Sequence, residues 1–92
     1  MTFDWDTKKR QANIKKHGID FSELREVFEK PMLTRIDNRV DYGETRWISL
    51  GDLNGKIVIL VYTEKENNVR LISARRATKN EENIYCKKVY NR

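Results

Sequence analysis

Residues 56–63 read KIVILVYT. Apart from Lys56 the run carries no charge, and its β-branched and aromatic residues suit a pleated strand. A strand with one face in water alternates polar and apolar residues. This one does not, so it reads as the central strand of a sheet, covered on both faces. The rest of the fold follows outward from it. DLNG (52–55) is a hairpin signal on one side, and EKENN (64–68) is the next turn on the other. ETRWISL (44–50), stopping at Gly51, and VRLIS (69–73) are the flanking strands. LTRIDNRV (33–40) is polar enough for an outer strand, and FDW (3–5) offers a short extra edge.

Helices surround this meander. Asp6 is an N-cap, and the helix it opens runs to about His17, with Lys15, Lys16 and His17 in the last turn, where positive charge suits the helix dipole. Gly18 is the expected left-handed stop. Asp20 and Glu23 then start a second helix whose apolar stripe is Phe21, Leu24, Val27 and Phe28, ended by Pro31. Thr78-x-x-Glu81 is a capping box for a closing helix from about Lys79 to Tyr90, with Ile84, Tyr85 and Val89 available to pack on the sheet. The expectation is an α+β fold: two N-terminal helices, an antiparallel sheet of about four strands and a C-terminal helix, in a single domain over 1–92.

The chain has 92 residues, with 19 Lys+Arg against 14 Asp+Glu, a net charge of +5 that favours acidic partners. The surplus is uneven: five bases and three acids in 1–20, four and six in 21–45, ten and five in 46–92. A single cysteine, Cys86, excludes an intramolecular disulfide, and with one histidine it excludes the common four-ligand zinc site. No apolar run approaches the roughly 20 residues of a membrane helix, and MTFDWDTKKR (1–10) lacks an apolar leader segment. The expectation is a cytoplasmic protein without membrane contact.

Several residues carry possible chemistry. Lys9, Asn13, Lys16 and His17 share one polar face of the first helix. That face is either solvated or a nucleic-acid surface bearing the one side chain whose unperturbed pKa suits proton transfer near neutrality. Glu44 and Arg46 alternate onto the same side as Ile48 and Leu50, as an ion pair or as a functional pair. Arg70 shares a face with Ile72 beside the most apolar segment, so it requires a carboxylate, a carbonyl or a ligand, and Glu44 is one candidate. Arg75 and Arg76 follow the small residues Ser73 and Ala74 and precede a helix start. Arginine's planar fork matches a phosphate, and a helix start adds a positive dipole end. The competing account pairs these arginines with carboxylates inside the fold. No carboxylate cluster of the two-metal kind and no glycine-rich phosphate loop is visible. Phosphodiester chemistry here is therefore expected to proceed without metal, with proton transfer by His17, Glu44 or a lysine, and RNA suits it because the 2′-hydroxyl is an internal nucleophile.

Taken together, FDWDTKKRQANIKKHGIDFSE (3–23), EVFEKP (26–31), DYGETRWISLG (41–51) and VRLISARRATKNEENIY (69–85) resemble the BrnT-type toxins of bacterial type II toxin–antitoxin systems. The resemblance implies a RelE-like ribonuclease fold, RNA cleavage that slows translation, and a BrnA-type antitoxin whose DNA-binding domain provides the complex's contact with DNA. The matching positions are Asn13, Lys16, His17, Gly18, Glu44, Arg46, Gly51, Arg70, Ser73, Ala74, Arg75, Arg76 and Tyr85. Lys65 departs from the pattern, since many relatives have arginine there. The candidate catalytic residues are thus His17, Glu44, Arg70, Arg75 and Arg76, and the candidate RNA track is Lys9, Asn13, Lys16 and Arg46, with no metal and no cofactor expected. The alternative is a non-catalytic RNA-binding or antitoxin-partner module of the same fold.

Overall fold

The apolar run 56–63 lies in the middle of the sheet. The computed structural model describes residues 1–91; Arg92, the last residue of the expected domain, lies outside them. In chain order the elements are β1 (Thr2–Trp5), α1 (Thr7–His17), a 3₁₀ helix (Phe21–Glu29), β2 (Leu33–Ile36), β3 (Trp47–Leu53), β4 (Lys56–Lys65), β5 (Asn68–Arg76) and α2 (Lys79–Val89). The strands form one sheet in the order β1-β5-β4-β3-β2. The expectation of about four antiparallel strands therefore needs correction. FDW belongs to a fifth strand, β1, which lies parallel to β5 with Thr2 opposite Asn68 and Trp5 opposite Leu71.

The hairpin turns follow from residues that tolerate positive φ. Asn54 and Gly55 (φ 50° and 89°) close β3–β4, and Glu66 and Asn67 (φ 50° and 67°) close β4–β5. Two consecutive residues with φ > 0 give the type I′ twist that strands accept. β3 runs through Gly51 to Leu53 rather than stopping at the glycine, and it begins at Trp47, so Glu44 and Arg46 lie in the preceding loop and not on a strand.

A β-bulge decides which way the β5 side chains point. Val61 pairs with Ser73 but Tyr62 pairs with Leu71, leaving Ile72 as the extra residue. Alternation therefore restarts at the bulge. Val69 and Leu71 before it, and Ala74 after it, all belong to the main core. Arg76, opposite Val58, points to that same side, while Arg75, opposite Ile59, points to the other.

The main core lies on one sheet face. Val58, Leu60, Tyr62, Val69, Leu71 and Ala74 pack against Phe21, Leu24 and Val27 of the 3₁₀ helix. Phe28 joins them edge-on between Phe3 (5.1 Å) and Tyr62 (5.0 Å). The second N-terminal helix is 3₁₀ rather than α because its stripe has period three. Phe21, Leu24 and Val27 eclipse one another only at three residues per turn, and all three are buried. The Glu23 N–H donates to the Asp20 carbonyl at 3.0 Å, an i→i−3 bond. This stripe is fully used by the core, so it is not spare surface.

Gly51 is where the 3₁₀ helix meets β3 most closely. A Cβ there would overlap the Val27 Cγ1 methyl and reach Met32 Cγ at 3.4 Å. Overpacking of this kind costs about 1–3 kcal/mol. Gly51→Ala should therefore lower the melting temperature by at least about 4 °C, measured by thermal denaturation followed by circular dichroism.

Candidate nucleic-acid interface

Asn13 is the one buried residue of α1. The helix has little apolar surface to dock with: Ile14 is 40% exposed and Ala12 faces water. Of the shared polar face of Lys9, Asn13, Lys16 and His17, Asn13 alone is buried and supplies the contact with the sheet, while the other three stay exposed. The Asn13 Nδ2 donates to the Ala74 carbonyl and to the Ile19 carbonyl, both at 2.9 Å, and its Oδ1 accepts from the Ala74 N–H at 3.0 Å. β1 ends at Trp5, opposite Leu71, so β5 would run on with an open edge. The Asn13 amide occupies that edge and takes both backbone groups of Ala74, as a continuing strand would.

The clamp brings two chain segments together. Ile19 and Ala74 carbonyls bond the same nitrogen, so the end of α1 lies beside the end of β5. Gly18, at φ 71°, stops the helix with its N–H on the Ile14 carbonyl (2.8 Å). Arg10 fixes the following turn by a two-pronged contact with Asp20, at 2.8 and 2.9 Å. These Arg10 bonds, followed by one from the Ser22 N–H, hold the Asp20 carboxyl well below its usual range. What remains exposed around the clamp is a set of basic residues: Lys9 one turn before it, Lys16 and His17 one turn after it, and Arg76 two residues beyond Ala74. None of the four side chains has a hydrogen bond or ion pair among the described residues.

Arg75 stands on the opposite side of the sheet and is already engaged. Its two terminal nitrogens meet both oxygens of Glu81 at 3.0 Å each, and one also donates to the Arg76 carbonyl at 3.1 Å. Glu81 also closes the capping box, accepting from the Thr78 N–H at 2.8 Å while its own N–H donates to the Thr78 hydroxyl at 3.2 Å. The Arg75 guanidinium, helped by the Thr78 backbone, pulls the Glu81 carboxyl down to about 2. The two adjacent arginines therefore differ: Arg76 is free and Arg75 is tied to the start of α2.

The other expected site residues lie at the far end of the sheet. Trp47, Tyr62 and Leu71 are level across three strands, so Glu44 and Arg46 sit beyond the Leu71 level. Arg75, opposite Ile59, lies three rows from Tyr62 along β4, roughly 10 Å away at 3.3 Å per residue. Glu44 is therefore not placed to orient His17. It pairs with Arg46 (3.3 Å), whose guanidinium lies 3.9 Å from the Tyr42 ring centroid. Nor does Glu44 serve Arg70, which is 63% exposed and meets Asp4 of β1 at 3.2 Å. Parallel pairing with β1 provides that partner, and the exposure removes the expected need for one.

The loop 37–46 contains an arrangement that alternation does not announce. Asp37 has a fully buried side chain and accepts both prongs of Arg39 at 2.7 Å and the Tyr42 hydroxyl at 3.3 Å. Arg39 foremost holds its carboxyl near 2. Among the described residues no group of three or more His, Cys, Asp or Glu is placed to hold a metal ion, and no helix is long and apolar enough to cross a membrane.

Comparison with known proteins identifies one family. A model described as "Ribonuclease toxin, BrnT, of type II toxin-antitoxin system" matches residues 5–81, which include the clamp and both arginines. No curated protein sequence matches the chain.

Replacing Asn13 by Ala strands two carbonyls and one N–H at the β5 edge. At about 1–3 kcal/mol for each buried group left unsatisfied, a loss of at least about 2 kcal/mol is expected in urea denaturation. For Glu81 the sign is that of a depressed carboxylate: its contribution is complete above its ordinary 4.5 and disappears as pH falls towards about 2. Glu81→Gln should be less stable than the parent at pH 7, with the difference closing between pH 4.5 and 2. A difference that stays constant across that window would show the Arg75 pair to be uncoupled from folding.

Proposed function

Because the chain belongs to the BrnT ribonuclease toxins of type II toxin–antitoxin systems, we propose that it is a metal-independent endoribonuclease whose cleavage centre lies where α1 ends against the end of β5. The observation that carries this reading is the Asn13 clamp. It sets the helix end bearing the sole histidine beside a strand end bearing an arginine whose side chain has no partner among the described residues. Arg76 offers its guanidinium to the scissile phosphate and stabilises the negative charge that builds on the phosphorane oxygens. His17 moves the proton. As base it takes the 2′-hydroxyl proton while O2′ attacks phosphorus; the imidazolium so formed returns that proton to O5′ as the P–O5′ bond breaks, leaving a 2′,3′-cyclic phosphate and a 5′-hydroxyl. Lys9 and Lys16 hold neighbouring phosphates, and Asn13 positions the helix rather than touching RNA. Arg75 serves the same phosphate from across the strand end once Glu81 releases it. Arg46 and Arg70, at the far end, extend the electropositive track, and Glu44 tempers it.

The metal-independent reading rests on the donor set: Asp20, Asp37 and Glu81 are each held by an arginine, and among the described residues no group of three or more His, Cys, Asp or Glu is placed to share an ion. The wider reading is that of the resemblance: a single-domain, RelE-like toxin of the cytoplasm that slows translation by cutting RNA. Its BrnA-type antitoxin neutralises it and carries the DNA-binding domain through which the complex meets DNA.

Purified protein should cleave RNA in EDTA and leave a cyclic phosphate. Cleavage that stops in chelator and returns with magnesium overturns the mechanism. His17→Ala should slow cleavage by about 100-fold or more and Arg76→Ala comparably, while each changes stability by no more than about 0.5 kcal/mol. Arg76→Lys should recover little, since it keeps the charge but loses the fork. Parent-like cleavage by either alanine variant removes that residue from the centre.

A further inference from the structure

The sheet face opposite the main core is only partly covered. α2 is anchored at one margin of it, through the buried Tyr85, whose hydroxyl donates to the Pro31 carbonyl at 2.8 Å, and through Tyr90, whose hydroxyl donates to Asp52 at 2.7 Å. Between α2 and β2 a groove of about 630 Å³ stays open. Its floor is one cross-strand row, Leu33–Leu50–Ile59, with Ile48 from the next row. Ile84 of α2, 42% exposed, forms one wall. Four cations stand around it, Arg35, Arg39, Arg75 and Lys88, against the single acid Glu81. Arg39 and Arg75 are occupied by Asp37 and Glu81; Arg35 and Lys88 have no partner among the described residues. β2, the last strand of the sheet, leaves its outer edge unpaired along the same groove.

We propose that this groove is the docking surface for an acidic, amphipathic segment of the antitoxin, with apolar side chains on the aliphatic floor and carboxylates on Arg35 and Lys88. The inference rests on the toxin reading above and adds to it the surface used and the chemistry of the partner. Charge complementarity selects the occupant, because an aliphatic floor ringed by unpaired cations is satisfied by apolar residues alternating with acids. RNA fits less well, since the lining holds no aromatic ring on which a base stacks. The location also couples partner to activity. Arg75 forms part of the groove wall, so a partner carboxylate there competes with a phosphate for the same guanidinium.

The test uses the full chain and its cognate antitoxin, with affinity measured by calorimetry and RNA cleavage measured in parallel. Ile84→Glu and Arg35→Glu alter exposed groove positions outside the cleavage centre, and Lys87→Glu, away from the lining, controls for charge. The double variant should bind the antitoxin at least about 100-fold more weakly, as the loss of two anchoring contacts implies. It should cleave RNA like the parent and escape neutralisation, while the Lys87 variant remains parent-like. An affinity within about threefold of the parent overturns the proposal. Lost cleavage with unchanged antitoxin binding also overturns it, assigning the groove to RNA. A parent chain that binds no antitoxin overturns this proposal together with the toxin reading. Groove-dependent antitoxin binding by a chain that cuts no RNA supports the proposal and strikes only the catalytic reading.

Discussion

Everything that places the candidate site depends on one side-chain amide substituting for a strand. β5 is paired with β1 only as far as Leu71, and beyond that its backbone would face water along an open edge. Such edges are costly and invite the wrong partners. Asn13 satisfies the Ala74 N–H and carbonyl together, which a lone donor or acceptor cannot do, and its second amide hydrogen turns the chain after Gly18 back onto the same point. An apolar residue at position 13 would dock the helix more greasily but leave three backbone groups without partners. The polar choice is therefore structural in origin, and the exposed cations beside it have their positions because of it.

Local signals were legible in the residues and long-range ones were not. The Gly18 stop, the Asn54-Gly55 turn and the Thr78–Glu81 box each rest on residues a few positions apart, and each is present as read. The second helix was visible as an apolar stripe, yet its period of three identifies a 3₁₀ helix, a form whose runs are rarely this long. FDW was too short to reveal a parallel partner 66 positions away. The bulge at Ile72 carries no sequence mark, so simple alternation put Arg70 and Ile72 together and could not tell which of Arg75 and Arg76 shares the core side. Asn13 was recognised as a site position, but its partner lies 61 residues on. Glu44 and Arg46 read as strand residues because Trp47-Ile48-Ser49 invites extension; the buried Asp37, gripping Arg39 and Tyr42, instead organises a loop there.

Alternation gives neighbouring arginines different electrostatic surroundings, and the bulge decides which arginine takes which face. Arg76 emerges on the side of α1, among unpaired cations, where like charges make an incoming anion welcome. Arg75 emerges over the second face, where Glu81 neutralises it and ties the strand end to the first turn of α2. One strand end thus serves two surfaces: a cationic one made by the first helix and an apolar, cation-rimmed one made by the last.

The parallel pairing of β1 with β5 also sets the order in which the molecule can be completed. Hairpins β3–β4 and β4–β5 close over two-residue turns, so they need only chain that is already adjacent. β1 and α1 are made before the rest of the sheet, yet their hydrogen-bonding partners at Asn68–Leu71 and Ala74 lie more than 60 residues later. Contacts of such separation form late, because loop closure must be met before they contribute. A nascent chain stopped anywhere before Ala74 has no edge for Asn13 to cap and nothing to hold the end of α1 against β5. The fold therefore withholds its assembled basic surface until the chain has been made through β5, a timing built into topology.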